Sequence, residues 1–406
     1  MTTTTMSLPR TGALVTLDRV TFVLFLAFVA SLQVSIAAAD ILLTATLLGW
    51  VALLVRDRAK PAAPRFFVPL LAYAGWTLVA TLFSFNFGVS VADDKQLLLF
   101  LLVPAVYDLA RGGRAATVVD VIVTVGAASA AIGIVQFGVL HYDNLGQRPQ
   151  GALTHYMTYS GVLMLVLSAA VARLVFGRGD RTWPALVMPA LCVALAVTFT
   201  RSATVGALAA VALLLALRSF RLLVLVPVLV AVLLAVAPDS ITARMTSVID
   251  LQDPTIVDRL AMMRTGAAIV KAQPLTGIGP NMVPRMYAEF RHPSAINAVN
   301  PHLHNVPLQI AAERGLPALV IWLWCIAVLT RGLWEAFRSG AHRPLAAGGL
   351  AATTAMLAAG MFEYNFGDSE FLMLFLVLVT LPFAAAREGA RPSAPPDERV
   401  APTASR

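Results

Sequence analysis

"TRSATVGALAAVALLLALRSFRLLVLVPVLVAVLLAV", residues 200–236, is two long apolar runs parted only by Arg218, Ser219, Phe220 and Arg221. Neither run alternates strictly, which argues against the strands of an outer-membrane barrel. A helix satisfies every backbone amide without water, so spanning helices are the expected form. The whole chain agrees: 406 residues, 58% hydrophobic and only 13% charged, with a mean hydropathy of +0.78. A soluble domain of this length could not solvate such a surface, whereas lipid faces it directly.

Crossing a hydrocarbon core of ~30 Å takes about 20 helical residues. Hydrophobic windows and charge breaks place about twelve spans, near residues 20–38, 41–55, 66–83, 97–110, 117–140, 157–176, 184–199, 204–217, 221–236, 316–331, 344–362 and 370–386. The expected fold class is therefore all-α, a polytopic membrane protein with one large loop. Residues 1–19 form an N-terminal segment, 20–236 carry spans one to nine, 237–315 the loop, 316–386 the last three spans, and 387–406 a tail. The first run lacks a convincing small-residue cleavage site and is followed at once by a second span, so it is not a cleavable signal peptide. The tail, rich in Pro, Ala and charge, is expected to be disordered.

Lys and Arg set the orientation. The loops "RDRAKPAAPR" (56–65), "RGGR" (111–114), "GRGDR" (177–181), "RSFR" (218–221) and "RGLWEAFRSGAHR" (331–343) alternate with poorly charged ones. The positive-inside rule puts them, and both termini, in the cytoplasm. The net charge of +8 is then mostly cytoplasmic anchoring, and no nucleic-acid partner is needed to explain it. Cys192 and Cys325 fall inside expected spans and are expected to be apolar filling, with no disulfide or metal role.

The 237–315 loop breaks the charge rule with Arg244, Arg259, Arg264, Lys271, Arg285, Arg291 and Arg314. Long loops are largely exempt from that rule, yet a basic lobe also suits an anionic substrate such as a lipid-linked phosphate. "TIVDRLAMMRTGAAIVKAQPLTGIGPNMV" (255–283) opens as a helix, with Asp258 as the expected N-cap and Leu260, Met263, Ala267 and Val270 at helical spacing. Pro274 and "GIGPN" end it. Arg259 and Arg264, five residues apart, do not share one face squarely.

"NPHLHNVPLQIAAERGLPAL" (300–319) concentrates polar chemistry just before a span. Asn305 suits an N-cap, Pro307 a first turn and Gly315 a helix end. His304 then lies just outside a helix N-terminus, where the dipole favours a neutral ring, available as a base, and also attracts phosphate. The alternative is that His302 and His304 are ordinary interfacial residues. Arg201 sits near membrane depth, where insertion costs ~2.5–3.5 kcal/mol, which makes it a functional candidate. "FEYNFGDSE" (362–370) brings Glu363, Asp368 and Glu370 into a short loop on the same side, and "QRPQGALTHYMTYSG" (147–161) adds Arg148, His155 and Tyr159. Each of these also has a bland explanation, a solvated turn or a span entrance.

The order of "TR" at a span end, "RLAMMRTGAAIVKAQPLTGIGPNMV", and then His304, Asn305, Leu308, Gln309, Glu313 and Gly315 resembles the O-antigen ligase and O-antigen polymerase superfamily. The resemblance runs over about residues 145 to 380 and includes "FEYNFGDSE". Met263 departs from it, since many members carry tryptophan there.

The resemblance implies a GT-C-like membrane glycosyltransferase of the bacterial inner membrane, with its site on the periplasmic face. It implies transfer of a glycan from undecaprenyl pyrophosphate to an acceptor hydroxyl, in the ligases a sugar of the lipid A core, as in lipopolysaccharide biosynthesis. No cofactor and no metal are implied; arginines take the cation's place, and transfer inverts the anomeric centre. On this basis Arg201 and Arg259 are expected to clamp the pyrophosphate and His304 to orient or deprotonate the acceptor. Arg264, His302, Asn305, Arg148 and Glu363 are expected to bind substrate, and Glu313 to be structural. Family polymerases are described with Arg-x10-Gly motifs. Here Arg201 meets Ala212, Arg259 meets Val270 and Arg264 meets Leu275, which favours a ligase. A polymerase, a protein O-glycosylating relative, and, from another class, a polysaccharide or anion transporter are the alternatives.

Overall fold

The computed structural model of the protein describes residues 11–144, 146–179, 181–236 and 254–387. The expectations for residues 1–10, for the first part of the large loop (237–253) and for a disordered tail beyond 387 lie outside the described residues. Within them the regular structure is helical: α1 (Thr11–Ser31), α2 (Ile36–Asp57), α3 (Phe67–Leu82), α4 (Phe87–Asp93), α5 (Leu102–Leu109), α6 (Arg114–Gly138), α7 (Tyr156–Phe176), α8 (Thr182–Val197), α9 (Arg201–Arg218), α10 (Leu225–Val236), α11 (Pro254–Ala272), α12 (Val283–Phe290), α13 (Val306–Ser339), α14 (Arg343–Gly360) and α15 (Ser369–Ala385). Five of them, α2, α6, α7, α9 and α13, are long and apolar enough to cross a membrane, and shorter apolar helices accompany them. The protein is an all-helical, polytopic membrane protein.

Several boundaries differ from the expected spans. The first ends at Ser31 instead of 38, because Ser35 caps α2 by accepting from the Ala38 N–H at 3.4 Å. The 97–110 segment begins as a 3₁₀ stretch, Asp94–Leu101, before α5. The 331–343 loop is mostly helix, since α13 runs on to Ser339.

Packing follows small residues, as expected where lipid is no less apolar than the helix surface. Ala203, Gly206, Ala207 and Ala210 of α9 are buried against α14, whose own buried face includes Ala351, Ala352, Ala355 and Ala359. A Cβ on Gly206 would stand 2.8 Å from the Ala355 carbonyl oxygen. In the middle, α7 is buried without a break from Tyr159 to Ala172, and α15 from Glu370 to Pro382. A helix apolar on every side belongs inside the bundle. On the outside, Val23, Ile41, Leu48 and Val55 of α1 and α2 are exposed apolar residues, as lipid-facing surface requires.

The polar segment before α13 has its own small core of Met262, Ile269, Ile278, Met282, Tyr287, Leu303 and Ala312. Two expectations for α11 are corrected here. The helix starts at Pro254, so Asp258 lies inside it instead of capping it. The buried stripe is Asp258, Met262, Thr265 and Ile269, while Leu260 and Met263 are about half exposed. The period was right and the phase wrong, because a buried carboxylate, bonded to the 296–297 backbone, sets the inward face.

Glycines fix the turn after α11 to the kink in α13. Gly315 has φ 81° and ψ 169° inside the helix, and a Cβ there would lie 1.9 Å from the Leu275 carbonyl oxygen. Across this contact the Ile278 N–H donates to Ala312 O at 3.0 Å, Gly279 N–H to Glu313 O at 2.9 Å, and Leu316 N–H to Pro274 O at 2.8 Å. Glu313 is structural, as expected: its carboxylate accepts from Val283 N–H at 3.4 Å and pairs with Arg314 at 3.0 Å. Arg314 in turn reaches Asp93 at 3.3 Å, tying the segment to α4.

Candidate functional site

At the end of the bundle where α7, α9, α13 and α15 begin and α14 ends, a cavity of about 320 Å³ opens. Arg148, Arg201, Arg259 and His304 all line it, joined by Tyr156, Ser202, Thr255, Asn297 and Asn300. The wall includes the first turns of α7 (Tyr156, Met157), α9 (Arg201, Ser202) and α11 (Pro254, Thr255). Helix N-termini present N–H groups and the positive dipole end. Thr200, ahead of α9, makes no side-chain cap bond that would occupy those amides. Arginines and helix N-termini together make a site suited to an anion with several oxygens.

The carboxylate on this wall is held by its neighbours. Asp258 accepts from Ile296 N–H at 2.9 Å, Asn297 N–H at 3.1 Å and Asn297 Nδ2 at 2.6 Å. It fixes the loop and, fully engaged, competes little with a bound anion. Arg148 stacks over the Tyr156 ring at 4.3 Å, which steadies the guanidinium at the rim.

His304 is the most constrained residue of the group. Its φ of 50° is left-handed, a conformation that costs ~1–3 kcal/mol outside glycine. Asn305 follows as N-cap, its Oδ1 accepting from Leu308 N–H at 2.9 Å, and its Nδ2 donates to Met361 O at 3.1 Å. Gln309 accepts from Leu303 N–H at 2.7 Å. These bonds pin the turn that aims the ring.

Glu363 completes it. His304 Nδ1 lies 2.9 Å from Glu363 Oε2, and His302 Nε2 lies 3.5 Å from Oε1. The two imidazoles meet edge to face, 4.1 Å between centroids. Burial alone would raise the Glu363 carboxyl, yet the His304 bond, helped by the Tyr364 N–H at 3.1 Å, brings it down to about 2. An ionised carboxylate only accepts, so His304 Nδ1 carries the proton and Nε2 is the nitrogen left for the cavity. Burial pushes His302 down to about 4, against the pull of Glu363, so its ring is neutral at pH 7. His302, His304 and Glu363 bring three ligand-type atoms within 4.8 Å of one another. In this geometry the His304 nitrogen is already engaged by the carboxylate.

A second cavity of about 240 Å³ adjoins the first and shares Met157, Thr200 and Ser202 with it. His302 and Glu363 line this side, with His155, Thr158, Asn365 and Asp368. His155 caps α7, its Nδ1 accepting from Met157 N–H at 3.3 Å. Asp368 caps α15 and accepts from Thr158.

The site residues expected from the sequence thus separate. Arg148, Arg201, Arg259 and His304 share one cavity, and His302 and Glu363 border the other. Arg264 is exposed and lines neither, because it faces away from the buried stripe of α11. Asn305 lines neither as well, since both ends of its amide hold the turn. Asn297, Asn300, Thr255 and Asn365 escaped the sequence reading; their only signal was position beside the histidine and arginine motifs.

Fold and site define a helical membrane protein with an arginine-lined cavity at one end of its bundle. Residues 185–323 match the family model described as O-Antigen ligase, a span that contains Arg201, Arg259 and His304. That match supports the O-antigen ligase and polymerase superfamily and a glycosyltransferase-like enzyme acting on a glycan or lipid-linked substrate, without separating ligase from polymerase. A search of curated proteins finds no match.

Proposed function

We propose that the protein moves a glycan from undecaprenyl pyrophosphate to an acceptor hydroxyl, and that the acceptor is lipid A core, so that the reaction is O-antigen ligation in lipopolysaccharide biosynthesis. The observation that carries this is the single cavity shared by Arg148, Arg201, Arg259 and His304. Its place is the periplasmic face of the bacterial inner membrane, with about twelve spans and both termini cytoplasmic, as the distribution of Lys and Arg supports.

His304 Nε2 takes the proton of the acceptor hydroxyl, with Glu363 as a positioning residue on Nδ1. The acceptor oxygen bonds to the anomeric carbon from the face opposite the leaving group, which inverts the centre. The bond from that carbon to the pyrophosphate oxygen breaks, and its electron pair stays on the pyrophosphate. Arg201 and Arg259 stabilise the charge gathering there, aided by the α9 N-terminus, in a site where preorganised donors act most strongly. Guanidinium groups cannot lose their charge and bind phosphate oxygens in pairs, so the arginines do the work a divalent cation does elsewhere.

The test is transfer by the purified chain with undecaprenyl-pyrophosphate glycan and lipid A core, in EDTA and without nucleotide. Glycan on lipid A core, abolished by His304→Ala, supports ligation. Lengthening of the undecaprenyl-linked chain instead would mean a polymerase, and transfer only to protein hydroxyls a protein-glycosylating enzyme. Activity restored only by added Zn²⁺ or Mn²⁺ would assign His302, His304 and Glu363 to a metal and overturn the metal-independent step. Folded protein that makes no product, but moves glycan or anion across vesicles, would leave transport.

A further inference from the structure

We infer that the second cavity is the acceptor subsite and that it takes an uncharged, hydroxyl-bearing group, a neutral sugar ring, with Asn365 accepting a hydrogen bond from one of its hydroxyls. This rests on the glycosyl-transfer reading and adds where the acceptor sits and what charge it carries.

The two cavities differ in charge while sharing a wall. Arg148, Arg201 and Arg259 all line the first; among the described residues no Arg or Lys lines the second, where Glu363 and Asp368 stand. A phosphate is drawn to the first and repelled from the second by the Glu363 carboxylate. The unit between them is the one suited to proton removal, with His304 on the donor side and its partner Glu363 on the other. A hydroxyl reaching over from the second cavity therefore arrives beside the base.

The second cavity also has unmet hydrogen-bonding demand. Asn365 is 7% exposed and lines it. Its Nδ2 donates to Met356 O at 3.2 Å, which fixes the amide's orientation, and its Oδ1 has no partner among the described residues. His302 Nδ1, on the same wall, is likewise without one. Leaving a buried acceptor unpaired costs ~1–3 kcal/mol, and a ligand hydroxyl is a donor that removes the cost. The volume of about 240 Å³ lies below the ~300–1,000 Å³ of pockets for larger ligands, so it suits one sugar ring better than a lipid chain.

The experiment uses the full-length protein, undecaprenyl-pyrophosphate glycan, and two forms of lipid A core, one with its acceptor sugar unmodified and one phosphorylated on that sugar. The phosphorylated core is expected to react with a kcat/KM at least tenfold lower. Asn365→Ala is expected to raise the KM for the neutral core at least fivefold and leave the donor KM unchanged. Equal rates on the two cores, or an Asn365→Ala effect on the donor KM alone, would overturn the assignment. Because the core comparison uses the unaltered protein, a misfolded variant does not spare the idea. No transfer to either core would overturn lipid A core as the acceptor of the proposed reaction, and this inference with it.

Discussion

Replacing Glu363 by Gln tests whether His304 works as an oriented base, and the geometry gives the size of the effect. In the protein, Oε1 accepts from Tyr364 N–H at 3.1 Å while Oε2 faces His304 Nδ1 at 2.9 Å. A carboxylate serves two donors at once; an amide has one oxygen. If the Gln oxygen stays with Tyr364, its NH₂ meets His304 Nδ1 and drives the ring proton to Nε2, where it blocks base catalysis. If the oxygen turns to His304, a buried backbone N–H meets a second donor, at a cost of ~1–3 kcal/mol. In both cases the charge that steadies a protonated imidazole is gone, and with it the difference between a charged and a neutral hydrogen bond, ~1–1.5 kcal/mol. The sum is about 2–4.5 kcal/mol, or ~30–2,000-fold in rate, and a wholly misplaced proton can cost ~10⁴. The assay is kcat for glycan transfer at saturating donor, with the donor KM measured alongside. Glu363→Gln is expected to lower kcat at least tenfold and leave the donor KM unchanged. A correctly folded variant with kcat within twofold of the wild type would refute the His304–Glu363 pairing as part of the chemistry.

Three further outcomes separate the residues by place. Arg259→Lys keeps charge but loses paired hydrogen bonds, worth ~1.5–3 kcal/mol to a charged partner, so kcat/KM should fall ~10–150-fold; Arg264→Ala, outside the cavity, should stay within about threefold. If the Lys variant is near normal while the Ala variant fails, the two arginines have been assigned the wrong way round. Gly315→Ala should cost ~2–4 kcal/mol of stability, since it combines a positive φ with a backbone clash. Gly340→Ala, whose φ is 79° but whose Cβ would meet nothing within 4 Å, should cost ~1 kcal/mol; equal melting shifts would show that the Leu275 contact is unimportant. His302 is held at about 4 in the fold against an ordinary 6.5, so its share of stability is full above pH 6.5 and is lost as pH falls toward 4. His302→Asn should flatten the melting profile across that window, and an unchanged slope would mean that other groups set it.

Much of this architecture was legible because hydrophobic runs need no knowledge of partners. The cap at Asn305 was legible too, being local chemistry: an Asn followed by a first-turn proline forms the 2.9 Å bond to Leu308 N–H. What the sequence hid was mostly distance. Glu363 lies 59 residues from His304, inside a stretch that reads as well as a solvated turn. Asn305 looked like a substrate contact, and only the Met361 carbonyl, 56 residues away, shows that its amide is engaged at both ends. On α11 the apolar pattern misled because Leu260 and Met263 face outward, while a charged residue, Asp258, faces in. Hydropathy ranks a carboxylate as surface; here backbone N–H donors reverse that ranking.

The same logic explains why a polar segment can sit beside a membrane helix without drifting relative to it. The segment's buried apolar residues form a small core of their own, separate from that of the bundle, so that core alone does not set its register. Its register is set instead at the α13 kink, where Gly315 lets the Leu275 backbone approach and three backbone bonds cross between the turn and the helix. Glu313 and Arg314, buried beside that kink, extend the connection to Val283 on one side and Asp93 on the other. Breaking one partner of such a buried pair leaves a charge uncompensated, at ~3–5 kcal/mol, so sliding is penalised more steeply than apolar contact alone could manage. His304 lies one helical segment N-terminal to that anchor, on α13's own capping turn. The membrane helix thereby fixes the depth of the His304 ring and, in the proposed reaction, the level at which the donor would present its pyrophosphate.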